Sequence, residues 1–142
     1  MKLVPYIKNK RGFTLVEVLL VVIIIVALSS MVVPRLVGRS EQAKVSVANS
    51  DIKANLATAL KLYELDNGHF PTTNQDLKAL RTKPSISPVP KSWNGPYVEK
   101  DPIDPWGNPY EYVSPGKHSN DYDLSSKGAD TASEEDDIRN WE

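Results

Sequence analysis

From Phe13 to Val33 the chain is apolar at every position except Thr14, Glu17, Ser29 and Ser30. A run of about 21 residues is long enough to cross a hydrocarbon core of about 30 Å as a helix. Pro34 follows; it removes a backbone donor and predicts a kink or a local loosening. Beyond it the pattern changes. Val45, Ala48, Ile52, Leu56, Ala59 and Tyr63 recur at three- and four-residue spacings, widened by Leu60, as on one face of an amphipathic helix. Lys44, Asn49, Lys53 and Lys61 fall opposite, and Glu41, Asp51 and Glu64 read with them as a solvated face. Asn67-Gly68 supplies a left-handed C-cap. The pattern predicts a largely continuous helix over 13–66. Its first half has no partner in its own chain, so it is stable only in lipid or against copies of itself.

The eleven prolines and seven glycines fall mainly after Gly68, which signals a loop-rich C-terminal half. Pro71-Thr72-Thr73 leads into a short second helix, with Thr73 and Asp76 as a capping box and Leu77 and Leu80 turned inward, ending before Pro84. Residues 84–96 read as extended loop. Asp104-Pro105-Trp106-Gly107-Asn108-Pro109 reads as a pair of tight turns. Tyr110–Val113 alternates as a strand, Pro115-Gly116 turns the chain, and Tyr122–Ser126 returns. The expected class is α+β: a long N-terminal helix whose second half packs on a small antiparallel sheet. Trp93, Trp106 and Trp141 read as packing residues, Trp141 holding the C-terminus to the domain.

Charge and composition narrow the function. Lys2, Lys8, Lys10 and Arg11 precede the apolar run, so the positive-inside rule keeps that end cytoplasmic and sends the rest across the membrane. The net charge of −1 creates no field for nucleic acid. With no cysteine, no disulfide staples the small domain. Ala27-Leu28-Ser29 offers a secretory cleavage site as the competing reading of the apolar run. Catalytic machinery is not legible: His69 and Asp66 have no nucleophile near them, Ser125-Ser126 lacks the strained Gly-x-Ser-x-Gly elbow, and no phosphate-cradling Gly-rich loop occurs. The chain is not expected to be an enzyme.

Glu17 stands at the fifth position of the apolar run. A lone carboxylate at bilayer depth costs about 2.5–3.5 kcal/mol unless it is neutralised. Cleavage between Gly12 and Phe13 would create a partner, because Phe13 then carries an α-amino charge that a neighbouring chain could bring to Glu17. The stretch Lys10-Arg11-Gly12-Phe13-Thr14-Leu15-Val16-Glu17 resembles the type IV pilin and pseudopilin class. Further matches follow in order: Leu65-Asp66-Asn67-Gly68-His69-Phe70-Pro71-Thr72-Thr73, Asp104–Tyr110, Tyr122-Asp123-Leu124, Ser126, Gly128-Ala129-Asp130, Asp137-Ile138 and Asn140-Trp141. Together these resemble the protein G type of type II secretion pseudopilins.

The resemblance implies a pilin-like fold in four parts: a leader at 1–12, a membrane and assembly helix at 13–33, its amphipathic continuation at 34–67, and a periplasmic region at 68–142. It implies that a prepilin peptidase cuts after Gly12 and methylates Phe13, and that the segment near Pro34 partly melts on assembly. It also implies partners: further copies of the chain in a helical homopolymer, minor pseudopilins, and an inner-membrane assembly platform. The implied product is a periplasmic pseudopilus that drives protein export. A surface type IV pilus for adhesion, motility or DNA uptake is the alternative, and a secreted or anchored calcium-binding enzyme, cut after Ser29, is a third.

Asp130, Ser133, Glu134, Glu135, Asp136 and Asp137 crowd one loop, with no basic residue before Arg139. From the residues alone the loop is either solvated or holds a hard cation through oxygen ligands, as Ca²⁺ prefers. The resemblance implies a structural Ca²⁺ there, with Asp130 and Asp137 as side-chain ligands and the Lys127 carbonyl as a backbone ligand. Ser133 and Asp136 are further candidates. The loop departs from the glycine-rich stretch usual in the family, since Thr131-Ala132-Ser133-Glu134-Glu135 intervenes.

Overall fold

The computed structural model describes residues 12–142, and side chains 32–37 lie outside that description. The leader expected at 1–12 therefore lies outside the described residues, Gly12 excepted. The chain forms two compact units, one ending at Ser40 and the other running Glu41–Glu142.

Helix α1 spans Leu15–Ser50, and its helical assignment continues through Pro34. Among the described residues no helix is long and apolar enough to cross a membrane. The described apolar side chains of the expected 13–33 run extend from Phe13 to Met31. The large ones are all exposed, from Phe13 at 88% to Ile24 at 49%. None of the other described residues covers them.

The expected helix reaches Asn67, yet it is not α-helical throughout. A π-helical turn at Asp51–Asn55 separates α1 from α2, Leu56–Asn67. The buried positions Ala48, Ile52, Leu56 and Leu60 explain the turn. Each four-residue step overshoots an α-helical turn by about 40°, so a run of such steps drifts around the cylinder. A wider turn takes up the drift and keeps Ile52 and Leu56 on one face. Asn55 Nδ2 donates to Asp51 Oδ1 across it (2.8 Å). Helix α2 ends as expected: Gly68 takes φ 80° and its N–H donates to the Glu64 carbonyl (2.7 Å). The expected stripe is buried except at Val45, which is 38% exposed because the packing begins one turn later, at Ala48.

The second helix is only a 3-10 turn, Leu77–Leu80, with Leu77 and Leu80 buried as expected. Asp76 is its N-cap, as expected, its Oδ1 accepting from the Leu77 N–H (2.7 Å), but the box itself lies one turn earlier, between Thr72 and Gln75 in place of Thr73 and Asp76. The Thr72 N–H donates to Gln75 Oε1 (3.0 Å), and the Gln75 N–H donates back to Thr72 Oγ1 (3.4 Å). Asp76 cannot continue that turn, since its φ of 55° leaves the helical region. Thr73 instead exchanges hydrogen bonds with the backbone of Ser114.

Three antiparallel strands follow in the order β1 (Glu111–Val113), β2 (Asp123–Ser126) and β3 (Ile138–Arg139). Tyr112 pairs with Leu124, and Ser126 with Ile138. The hairpin was legible; β3 was not, being two residues long. Tyr110, Tyr112, Tyr122, Leu124 and Ile138 join Ala48–Tyr63 and Leu77–Leu80 in one core. Several residues read as a solvated helix face are in fact tied to the domain. Glu41 accepts from Trp106 Nε1 (2.9 Å), Asp51 accepts from the Tyr110 hydroxyl (3.0 Å), and Lys53 donates to the Glu142 carbonyl (3.1 Å). The Trp106 hydrogen bond holds the Glu41 carboxyl below its ordinary value.

Candidate functional site

Two regions carry the chemistry expected from sequence. At the head of α1, Thr14 is the N-cap and Glu17 the third helical residue, the T-x-x-E spacing of a capping box. Glu17 N–H donates to Thr14 Oγ1 (3.2 Å), while Glu17 Oε2 accepts from the Thr14 N–H (3.0 Å) and hydroxyl (3.2 Å). The carboxylate thus satisfies helix donors that would otherwise be orphaned. None of these partners cancels its charge. Phe13, 88% exposed, and Glu17 line one open apolar groove with Val18, Leu20, Val21 and Val22. The sequence reading singled out Glu17 and overlooked Thr14, although the spacing was there to see.

The second region is the acidic loop between β2 and β3. Gly128 enters it at φ 63°, and a Cβ there would stand 2.6 Å from Asp136 Oδ2, so the loop closes around a bare backbone. Asp136 Oδ2 accepts from the N–H groups of Ala129 (2.7 Å) and Asp130 (3.0 Å), and the Asp130 bond leads in holding its carboxyl below the ordinary range. Asp130 is exposed, and its Oδ1 caps the Ala132 N–H (3.0 Å). Ser133 Oγ accepts from Glu135 N–H (3.3 Å), and the Lys127 ammonium pairs with Glu111 (3.0 Å). Asp137 Oδ2 pairs with Arg139 (3.0 Å).

Among the described residues no three carboxylate or imidazole side chains converge as a metal-holding group. The expected set, however, mixes two or three carboxylates with carbonyl and hydroxyl oxygens. One observation bears directly on its fit: Asp136 Oδ1 and Asp137 Oδ1 are buried and have no hydrogen-bond partner. Buried carboxylate oxygens without donors are costly, and a hard cation is a partner that would relieve them. In donor chemistry, these two oxygens are of the kind that calcium takes. His69 and His118 stand elsewhere. His69 Nδ1 lies 2.8 Å from the Phe70 carbonyl, and His118 stacks on Trp141 at 4.5 Å beside Asp123. Although burial opposes it, Asp123 is held at about 2, since the Ser119, Lys117 and His118 backbone and the His118 ring all bond to it.

Residues 35–141 match the family model described as type II secretion system (T2SS), protein G. The chain belongs to the type II secretion system protein G family. Its N-terminal stretch, residues 7–33, also matches the prokaryotic N-terminal methylation motif. This protein G family member is 49% identical over 140 residues to the type II secretion system core protein G of Pseudomonas aeruginosa, covering 95% of this chain and 97% of that one. It is 48% identical over 135 residues to the core protein G of Escherichia coli, covering 94% and 92%. Its fold matches the crystal structure of the major pseudopilin from the type 2 secretion system of enterohaemorrhagic Escherichia coli with a TM-score of 0.66 at 41% identity, over 75% of this chain and 89% of that one. The pilin-like α+β class read from sequence is therefore the fold of this protein G family member, and its relatives are secretion-system components.

Proposed function

We propose that this chain is a major pseudopilin, a structural subunit that polymerises into a periplasmic pseudopilus and drives protein export through a type II secretion system. The near full-length identity to core protein G carries the reading. The exposed apolar side chains of α1 supply its physics, since they need lipid before assembly and other copies after it. In this reading a prepilin peptidase removes residues 1–12 and methylates Phe13. The segment 13–33 holds the subunit in the inner membrane, N-terminus cytoplasmic, with the Glu41–Glu142 unit periplasmic. Minor pseudopilins and the assembly platform are its other partners, and no chemical turnover is assigned to it. Mass spectrometry of the mature protein is expected to find it beginning at methylated Phe13. A first residue at Ser30, after the secretory site, would refute the proposal.

We also infer a structural Ca²⁺ in the acidic loop, held by oxygens of Asp130, Asp137 and the Lys127 carbonyl, with Ser133 and Asp136 as further donors. When bound, the ion supplies positive charge to a self-repelling loop in a domain without disulfides. A cation that binds only the folded form stabilises it by mass action, about 2.7 kcal/mol at a hundredfold excess over Kd. Chelation, or Asp137→Ala, is expected to lower the melting temperature. Melting that is indifferent to millimolar Ca²⁺ and to chelator would sink the calcium reading.

A further inference from the structure

Between Asp130 and Glu142 the sequence holds six carboxylates and a single basic side chain, Arg139. Arg139 sits in β3 opposite Ser125, and its side chain is only 22% exposed. Its guanidinium reaches three acids: Glu142 Oε1 at 2.7 Å, Asp137 Oδ2 at 3.0 Å and Glu134 Oε2 at 3.6 Å. It also lies over the Trp141 ring, 6.0 Å from the centroid. A single exposed ion pair contributes little, but one half-buried guanidinium shared by several carboxylates is a network, the case in which such contacts matter.

The division of Asp137 is the telling detail. Arg139 holds Oδ2, while Oδ1 is buried without a partner. The guanidinium thus orients the carboxylate and leaves one of its oxygens unspent. Arg139 also lies within the segment whose pairing closes the loop: Ser126 pairs with Ile138, the Asn140 N–H donates to the Leu124 carbonyl (3.0 Å), and Asn140 Oδ1 accepts from the Leu124 N–H (2.9 Å).

We propose that Arg139 is a built-in counter-cation of the acidic loop, holding it closed and Asp137 oriented when no metal is bound. The proposal rests on the calcium reading. Arg139 and the metal then act on one carboxylate cluster, so their contributions to stability overlap and do not add. With the ion bound, much of the repulsion that Arg139 offsets is already cancelled. With the ion removed, Arg139 is the basic side chain paired with the loop's Asp137 and Glu134, since the Lys127 ammonium pairs with Glu111.

The test is a two-by-two comparison on the full-length chain in detergent micelles. Thermal unfolding is followed by tryptophan fluorescence in chelator and in millimolar calcium chloride, for the native chain, Arg139→Gln and Arg139→Lys. In chelator the Gln variant is expected to melt about 4–8 °C below the native chain, the shift typical of one modest interaction in a domain of this size. In calcium that deficit should shrink by at least half, so the variant gains more from calcium than the native chain does. The Lys variant should fall between them. A deficit of equal size in chelator and calcium, or no deficit at all, overturns the proposal while leaving the calcium reading standing. If neither chain responds to calcium, the calcium reading itself fails, and this proposal fails with it.

Discussion

Glu17→Ala is expected to leave removal of the leader intact and to abolish filament assembly. The carboxylate makes its described contacts to Thr14 alone, all to neutral donors. They cap the helix and leave the charge uncompensated. In a filament packed through its N-terminal helices, the Phe13 amine of an adjacent copy is the available cation. Alanine removes the charge that is costly in lipid, so the lone subunit tolerates it. The assembled state does not, because every subunit would then bury an ammonium without its carboxylate, and breaking a buried pair in this way costs about 3–5 kcal/mol. Glu17→Gln separates the two roles of the side chain, since glutamine still completes a capping box. Electron microscopy of filaments, with mass spectrometry of the mature terminus as the processing control, reads the result. If the Gln variant assembles as well as the native chain, charge pairing is refuted and Glu17 is only a helix cap.

Asp104→Ala is expected to be the most damaging single substitution in the Asp104–Pro109 turn. Asp104 is 4% exposed and serves three donors: the N–H groups of Trp106 (3.0 Å) and Asn108 (2.8 Å) through Oδ1, and the Ser126 hydroxyl (2.7 Å) through Oδ2. Ser126 Oγ in turn accepts from the Gly128 N–H (3.2 Å) at the entrance of the acidic loop. One carboxylate therefore links the turn, β2 and the loop. Alanine strands these donors, and each unsatisfied buried group costs about 1–3 kcal/mol. A total of about 3 kcal/mol corresponds to a melting temperature lower by roughly 12–24 °C in a domain of this size. Asparagine should recover part of the loss, because its carbonyl can still accept both backbone N–H groups. Thermal unfolding of the full-length chain in detergent checks both variants. An Ala variant within a few degrees of the native chain would show that water replaces the lost acceptor.

The local signals were legible because near neighbours in the chain determine them. Asn67-Gly68 ends α2 wherever that helix lies, since only glycine accepts its left-handed conformation without strain. The alternation around Tyr112 and Leu124 marked the hairpin, and the spacing from Ala48 to Tyr63 marked the buried face. The same spacing also held the π-helical turn, visible only when the overshoot of successive four-residue steps is added up. At the head of α1 the charge of Glu17 drew attention, and Thr14, needed for the cap, passed unremarked.

The sequence by itself determined the pilin-like class, the N-terminal methylation motif, the core stripe and the acidic loop. All of these are written in residues close together in the chain or in a repeating period. Only the tertiary structure decided which polar groups are structural. Asp104 meets Ser126, Glu41 meets Trp106 and Asp51 meets Tyr110 across separations of 22, 65 and 59 residues. Only it divided Asp137 between Arg139 and an oxygen left without a donor. A side chain's hydrogen-bonding obligation is set by what surrounds it after burial, and no window along the chain contains that information.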